Sequence, residues 1–123
     1  MDHTQFGRTD DYLKAIEAVV SNGLPDKHLE MLKAHCSAPD HTVTWAELAD
    51  EVGYPDFRTV NLQYGRLAHR VAEQLGILEA PNDFWLLVLV DWASDVEIES
   101  GHQAFTLRQP VVETLQRLGI CSA

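Results

Sequence analysis

The stretch from Thr44 to Leu75 leaves little freedom of local organisation. Thr44-Trp45-Ala46-Glu47 is a capping box, in which the Thr44 hydroxyl answers the backbone donor three residues on while Glu47 reaches back. Leu48, Ala49 and Val52 then form a buried stripe, and Gly53-Tyr54-Pro55 ends the helix, because glycine permits the left-handed turn and proline forbids continuation. A further helix is predicted from about Phe57 to Leu75, closing at Gly76. Two helices separated by a glycine turn predict a helix-turn-helix.

The flanking segments fit round this pair. Asp10 or Asp11 is expected to cap a first helix with Leu13, Ala15, Ile16, Val19 and Val20 at three- and four-residue spacing, ending at Asn22-Gly23. A second helix is predicted from Leu24-Pro25, with Pro25 in its first turn and Leu29, Leu32 and Cys36 on one side, until Ala38-Pro39. From Phe84 to Trp92 the composition turns to Phe, Trp, Leu and Val, and His102 to Leu107 is a second β-prone run, so a long-looped hairpin is expected. Pro110 opens a last helix, with Val111, Val112, Leu115 and Leu118 inward and Gly119 after it. The expected fold class is mostly α with a β-hairpin (α+β), winged helix-turn-helix-like. One domain fills 1–123, with an N-terminal helix extension at 1–23, a core at 24–120, a wing at 84–107 and a C-terminal helix at 109–118. A chain of 123 residues with 46% apolar content is sized for one such core.

The order of elements is the winged-helix order, and particular strings carry a resemblance. Ala38-Pro39-Asp40-His41-Thr42-Val43-Thr44, Glu47-Leu48-Ala49 with Val52-Gly53-Tyr54, and above all Val60-Asn61-Leu62-Gln63-Tyr64-Gly65-Arg66-Leu67-Ala68 resemble small bacterial winged-helix-like domains found alone or attached to HNH and restriction-type nucleases. The similarity runs on through the tryptophan-containing hairpin and Leu107-Arg108-Gln109-Pro110-Val111-Val112-Glu113-Thr114-Leu115, covering roughly residues 24 to 120. It implies a fold and a setting of genome defence or counter-defence. It carries no catalytic residues, because the HNH ββα-metal signature is missing.

Charge is segregated along the chain. The net charge is −10, yet residues 57 to 72 contain Arg58, Arg66 and Arg70 and no acid, leaving −13 for the remainder. On a helix, Val60, Tyr64, Leu67, Val71 and Leu75 form the core arc, and Thr59, Gln63, Arg66 and Arg70 fall opposite, with Arg58 and His69 beside them. Arginine forks suit phosphate and guanine edges and glutamine can read adenine, so the stripe has the chemistry of a major-groove reader. It is equally suited to a carboxylate-rich protein, or to solvated arginines pairing with acids such as Glu73. Asn61 is expected to cap or to hydrogen-bond a neighbouring loop. Asp95, Glu97 and Glu99 alternate in the hairpin loop, where a DNA-bound wing would meet phosphate, and would repel it. The same acids, with Glu47, Asp50 and Glu51 on the third helix and Asp40, Asp56, Asp83 and Asp91 elsewhere, provide a surface able to imitate DNA. The expected function is therefore a non-enzymatic, acidic protein-binding adaptor or inhibitor of the anti-CRISPR, anti-restriction or DNA-mimic type. The alternative is a DNA-binding winged helix reading sequence through 57–75, as a transcriptional regulator or nuclease-associated domain. A protein partner, itself part of a nucleic-acid-binding complex, is favoured over DNA, and a homodimer is compatible with this reading.

No enzyme, cofactor or metal is expected. His28, His35, Cys36 and His41 lack the spacing of four convergent zinc ligands and read as a core-edge set. Cys36 has no activating helix start, and neither a glycine-rich phosphate loop nor a G-x-S-x-G elbow occurs. Gly65, inside a helix, is expected to permit close packing. Trp45, Trp85 and Trp92 are expected to anchor core or interface, with Trp92 offering its indole to a partner. Cys36 and Cys121, far apart and outside any C-x-x-C, are expected to be free thiols in a reducing compartment. The first residues show no secretory pattern, and the longest apolar run, 84–90, is too short to span a bilayer, so a cytoplasmic location away from the membrane is expected.

Overall fold

In the computed structural model, which describes residues 6–93 and 103–121, five helices pack together with a three-stranded antiparallel sheet. The helices are α1 (Thr9–Ser21), α2 (Asp26–Ser37), α3 (Trp45–Val52), α4 (Phe57–Leu75) and α5 (Gln109–Arg117). The strands are β1 (Thr42–Thr44), β2 (Val90–Trp92) and β3 (Ala104–Leu107), ordered β1-β3-β2. The α+β class follows as expected. Strand β1 was not foreseen: Thr42, Val43 and Thr44 pair with Thr106, Phe105 and Ala104, and Thr44 serves both as the last strand residue and as the N-cap of α3. Three residues ahead of a strong helix start are too few to carry a periodicity.

The capping box of α3 forms as read, with Glu47 N–H donating to Thr44 Oγ1 at 3.1 Å and Thr44 N–H to Glu47 Oε1 at 2.8 Å. Gly53 ends α3 at φ 81, and the Lys27 ammonium donates to the Val52 carbonyl there. Two boundaries differ from the sequence reading. Helix α1 starts at Thr9, so Asp11 is no cap but an acceptor in the first turn, taking the Arg8 N–H at 2.9 Å. Pro25 precedes α2 as its N-cap rather than opening it.

The larger correction concerns the predicted strand at 84–92. Residues Trp85–Val88 form a 3₁₀ turn, and only Val90–Trp92 pair with β3. Leu86 to Val90 are all buried, and such a run fits a buried turn as well as a strand. Local carbonyls find partners outside any ladder: Leu87 O accepts from Arg108 Nε at 2.8 Å, Val88 O from Tyr12 Oη at 2.6 Å and Leu89 O from Arg108 N–H at 2.9 Å. The hairpin survives in its outer part, Val90↔Leu107 to Trp92↔Phe105.

One core unites these elements. Tyr12, Ile16 and Val19 of α1 join Trp45, Tyr64, Leu67, Phe105 and Leu115 in a single buried cluster, so the N-terminal helix belongs to the same core as the rest. The cysteine expectation is overturned: Cys36 of α2 and Cys121, beyond α5, form a disulfide with Cα atoms 6.0 Å apart. A sequence separation of 85 leaves no spacing signal, and the close approach is made by folding the tail back onto α2. The free-thiol argument for a reducing compartment therefore falls. No helix among the described residues is long and apolar enough to cross a membrane.

Candidate macromolecule-binding face

Helix α4 positions the predicted site. Asp56 caps it, accepting Thr59 N–H at 3.0 Å and the Thr59 hydroxyl at 3.2 Å, and the backbone donor from Thr59 holds the Asp56 carboxyl below the usual carboxylate range. Thr59 is thus a first-turn residue serving the cap. Val60, Tyr64, Leu67 and Val71 face the core as read.

The exposed stripe is not where the sequence put it. At about 100° per residue, Thr59, Gln63, Arg66 and Arg70 share one arc, but that arc leans toward α1 and α2. Gln63 is half-buried, its Oε1 2.9 Å from His28 Nε2 on α2. Arg70 folds back onto its own chain, donating to Gly23 O at 3.1 Å and Val19 O at 3.4 Å, and so satisfies carbonyls at the end of α1. The three-arginine ridge is therefore a two-arginine one.

What faces solvent lies about 100° further round, where Arg58, Leu62, Gly65 and His69 fall within about 60° of arc. These residues, with Asn61 and Arg66, form one wall of a groove of about 390 Å³; Asp83, Phe84 and Trp85 form the other. Leu62 is 54% exposed. Arg58 and Arg66 are exposed, and neither makes an ion pair among the described residues, where the only two pairs are Arg108–Asp91 and Arg117–Asp10. The Arg58 guanidinium lies 5.2 Å from the Phe57 ring centre. His69 stacks on Trp85 with ring centres 4.1 Å apart and planes within 10°.

Gly65 sits in this groove, and its role is corrected too. A Cβ built there meets nothing within 4 Å among the described residues, so none of their elements requires the glycine for packing. Asn61 likewise caps nothing: it is exposed, its side chain makes no hydrogen bond among the described residues, and it lines the same groove.

No known family model, curated protein or solved structure matches the chain.

The acidic set is only partly free. Asp50 and Glu51 are exposed on α3, whereas Glu47 is held in the capping box and Asp91 lies 3.6 Å from Arg108. Asp95, Glu97 and Glu99 lie outside the described residues. The candidate metal ligands have other partners. His35 Nε2 donates to Phe105 O at 3.0 Å, which leaves Nδ1 to accept from Tyr64 Oη at 2.8 Å; His41 Nδ1 lies 2.7 Å from Cys36 O. Burial, outweighing the Phe105 hydrogen bond, pushes the His35 pKa down to about 4. Trp45 is fully buried, and Trp92 stacks on Phe84 with ring centres 5.4 Å apart, so its ring packs inward rather than serving as a free handle.

Arg108 escaped the sequence reading. It is 7% exposed, bonded to Leu87 O, 3.6 Å from Asp91 and stacked 4.9 Å from Phe6.

Proposed function

We propose that the chain is a non-enzymatic, winged-helix-like adaptor that binds a protein partner in a genome-defence or counter-defence setting. The observation that carries this reading is the α4 groove, where two exposed arginines, a half-exposed leucine and the Trp85–His69 stack surround a glycine. Arginine and tryptophan are the residue types that dominate binding energy between proteins, especially beside desolvated apolar surface. The winged-helix part of the proposal is supported by the order α2-β1-α3-α4-β2-β3 and by the strand order β1-β3-β2. The setting is supported by the resemblance of residues 24 to 120. Asp50 and Glu51, exposed on α3, keep an inhibitory, DNA-imitating role within this proposal.

A DNA-reading alternative is favoured by the absence of acids from 57 to 72. It is weakened because Gln63 and Arg70, two residues of base-reading type, are engaged inside the chain, and because a net charge of −10 opposes counterion release. A photo-crosslinking amino acid at position 62, activated in living cells, separates the two. The expected product is a discrete protein adduct that disappears when Arg66→Glu is added. A nuclease-sensitive adduct, or none to protein, would overturn the proposal.

A further inference from the structure

We infer that the groove over Gly65 takes an acidic amphipathic helix of a partner protein, seating one bulky apolar side chain against Leu62 and Trp85 and two carboxylates on Arg58 and Arg66. The inference rests on the protein-binding reading above and adds the chemistry of the partner. Three features of the groove select this occupant.

The first is the empty space at Gly65. Glycine inside a helix destabilises it relative to alanine, and here no contact among the described residues demands it. A missing side chain at the centre of an exposed helix face lets another backbone or a large side chain come close, as happens where ridges of one helix enter grooves of another. The second is apolar surface that the fold leaves uncovered. Leu62 is 54% exposed, and Trp85, braced by His69, provides a rigid wall of low conformational entropy on the other side.

The third is charge. Arg58 and Arg66 are eight residues apart, a rise of about 12 Å along α4. Two glutamates four residues before and after one leucine span the same rise on a partner helix, so a parallel or antiparallel helix brings both within reach of long guanidinium side chains. Asp83 on the facing wall favours carboxylates on the arginine side and disfavours them at its own rim. Arginine's planar fork receives a carboxylate with two parallel hydrogen bonds, which fixes register as well as attraction.

The test uses a fluorescein-labelled, alanine-rich helical peptide with one leucine and glutamates four residues on either side, titrated with the full chain and followed by anisotropy. Binding is expected to weaken roughly tenfold when both glutamates become glutamine, roughly tenfold when the leucine becomes alanine, and to fall with added salt. Gly65→Leu should remove binding while leaving the protein at least as resistant to urea, which separates a filled groove from a misfolded chain. Arg66→Glu should remove it too and be restored in part by a peptide whose glutamates are lysines. No saturable binding, or binding indifferent to Gly65→Leu, overturns the inference; if the crosslink at position 62 still captures a protein, the broader reading stands with a partner of different chemistry. Saturable binding of a random DNA duplex, lost in the same two variants, overturns both.

Discussion

His35 is fully buried, and its ring joins α2 to α4 and β3 through Tyr64 and the Phe105 carbonyl. That geometry requires a neutral imidazole, because Nδ1 must accept a hydrogen bond. With a folded-state pKa of about 4 against an ordinary 6.5, the unfolded chain takes up a proton over that interval and the folded chain does not. Stability from this residue is fully present above pH 6.5 and is lost as pH falls toward 4, by about 3 kcal/mol. Urea midpoints at pH 7 and pH 4.5 should differ more for the wild type than for His35→Gln; equal differences would remove His35 as the cause. Arg108 is a second buried polar side chain whose partners come from the fold. Its guanidinium meets a carbonyl, a carboxylate and an aromatic face, and it holds the 85–90 segment in its turn. The core-edge reading of His35 anticipated its burial but not its partners, and the role of Arg108 was not legible, since arginine is read from sequence as surface or site chemistry until a fold surrounds it.

Helix α4 is the element on which the proposed function rests, and one residue in it can be tested without reference to any partner. Gly65 has ordinary negative-φ helical backbone and open space above it. Gly65→Ala is expected to stabilise the protein by about 1 kcal/mol, from helix propensity alone, measured as a higher urea midpoint with unchanged slope. A destabilised variant would mean that a neighbour needs the glycine, and the open groove would then be wrong. The helix itself was legible in the sequence: its start near Phe57, its core arc and its Gly76 stop are all found, though not its Asp56 cap. Its outward face was not. Periodicity gives the angle between residues, but α1 and α2 decide which part of the remaining arc they cover, and they took Gln63 and Arg70.

For the molecule as a whole, the Cys36–Cys121 disulfide closes a loop spanning most of the chain and pins the segment after α5 to α2. Cross-linking so long a loop restricts the unfolded ensemble, and the chain-entropy estimate is about 5 kcal/mol. The Cys36→Ser, Cys121→Ser double variant is therefore expected to melt well below the oxidised protein. Its melting temperature should match that of the wild type under reducing agent; a variant as stable as the oxidised protein would exclude the bond as a structural tie. Neither α5 nor the tail shares a local signal with α2, so the pairing depends on how the termini are brought together by the common core.

Local chemistry determined the α+β class, five helices close to their boundaries, the α3 capping box and the concentration of arginine on α4, because caps, glycine stops and apolar spacing act within a few residues of one another. Tertiary structure decided the rest. It formed β1 against β3, turned residues 85–88 out of the strand, joined the two cysteines and assigned Arg70 to α1 rather than to solvent. These outcomes depend on contacts between residues tens of positions apart, whose energies exceed local preference and leave no imprint on the spacing of neighbours.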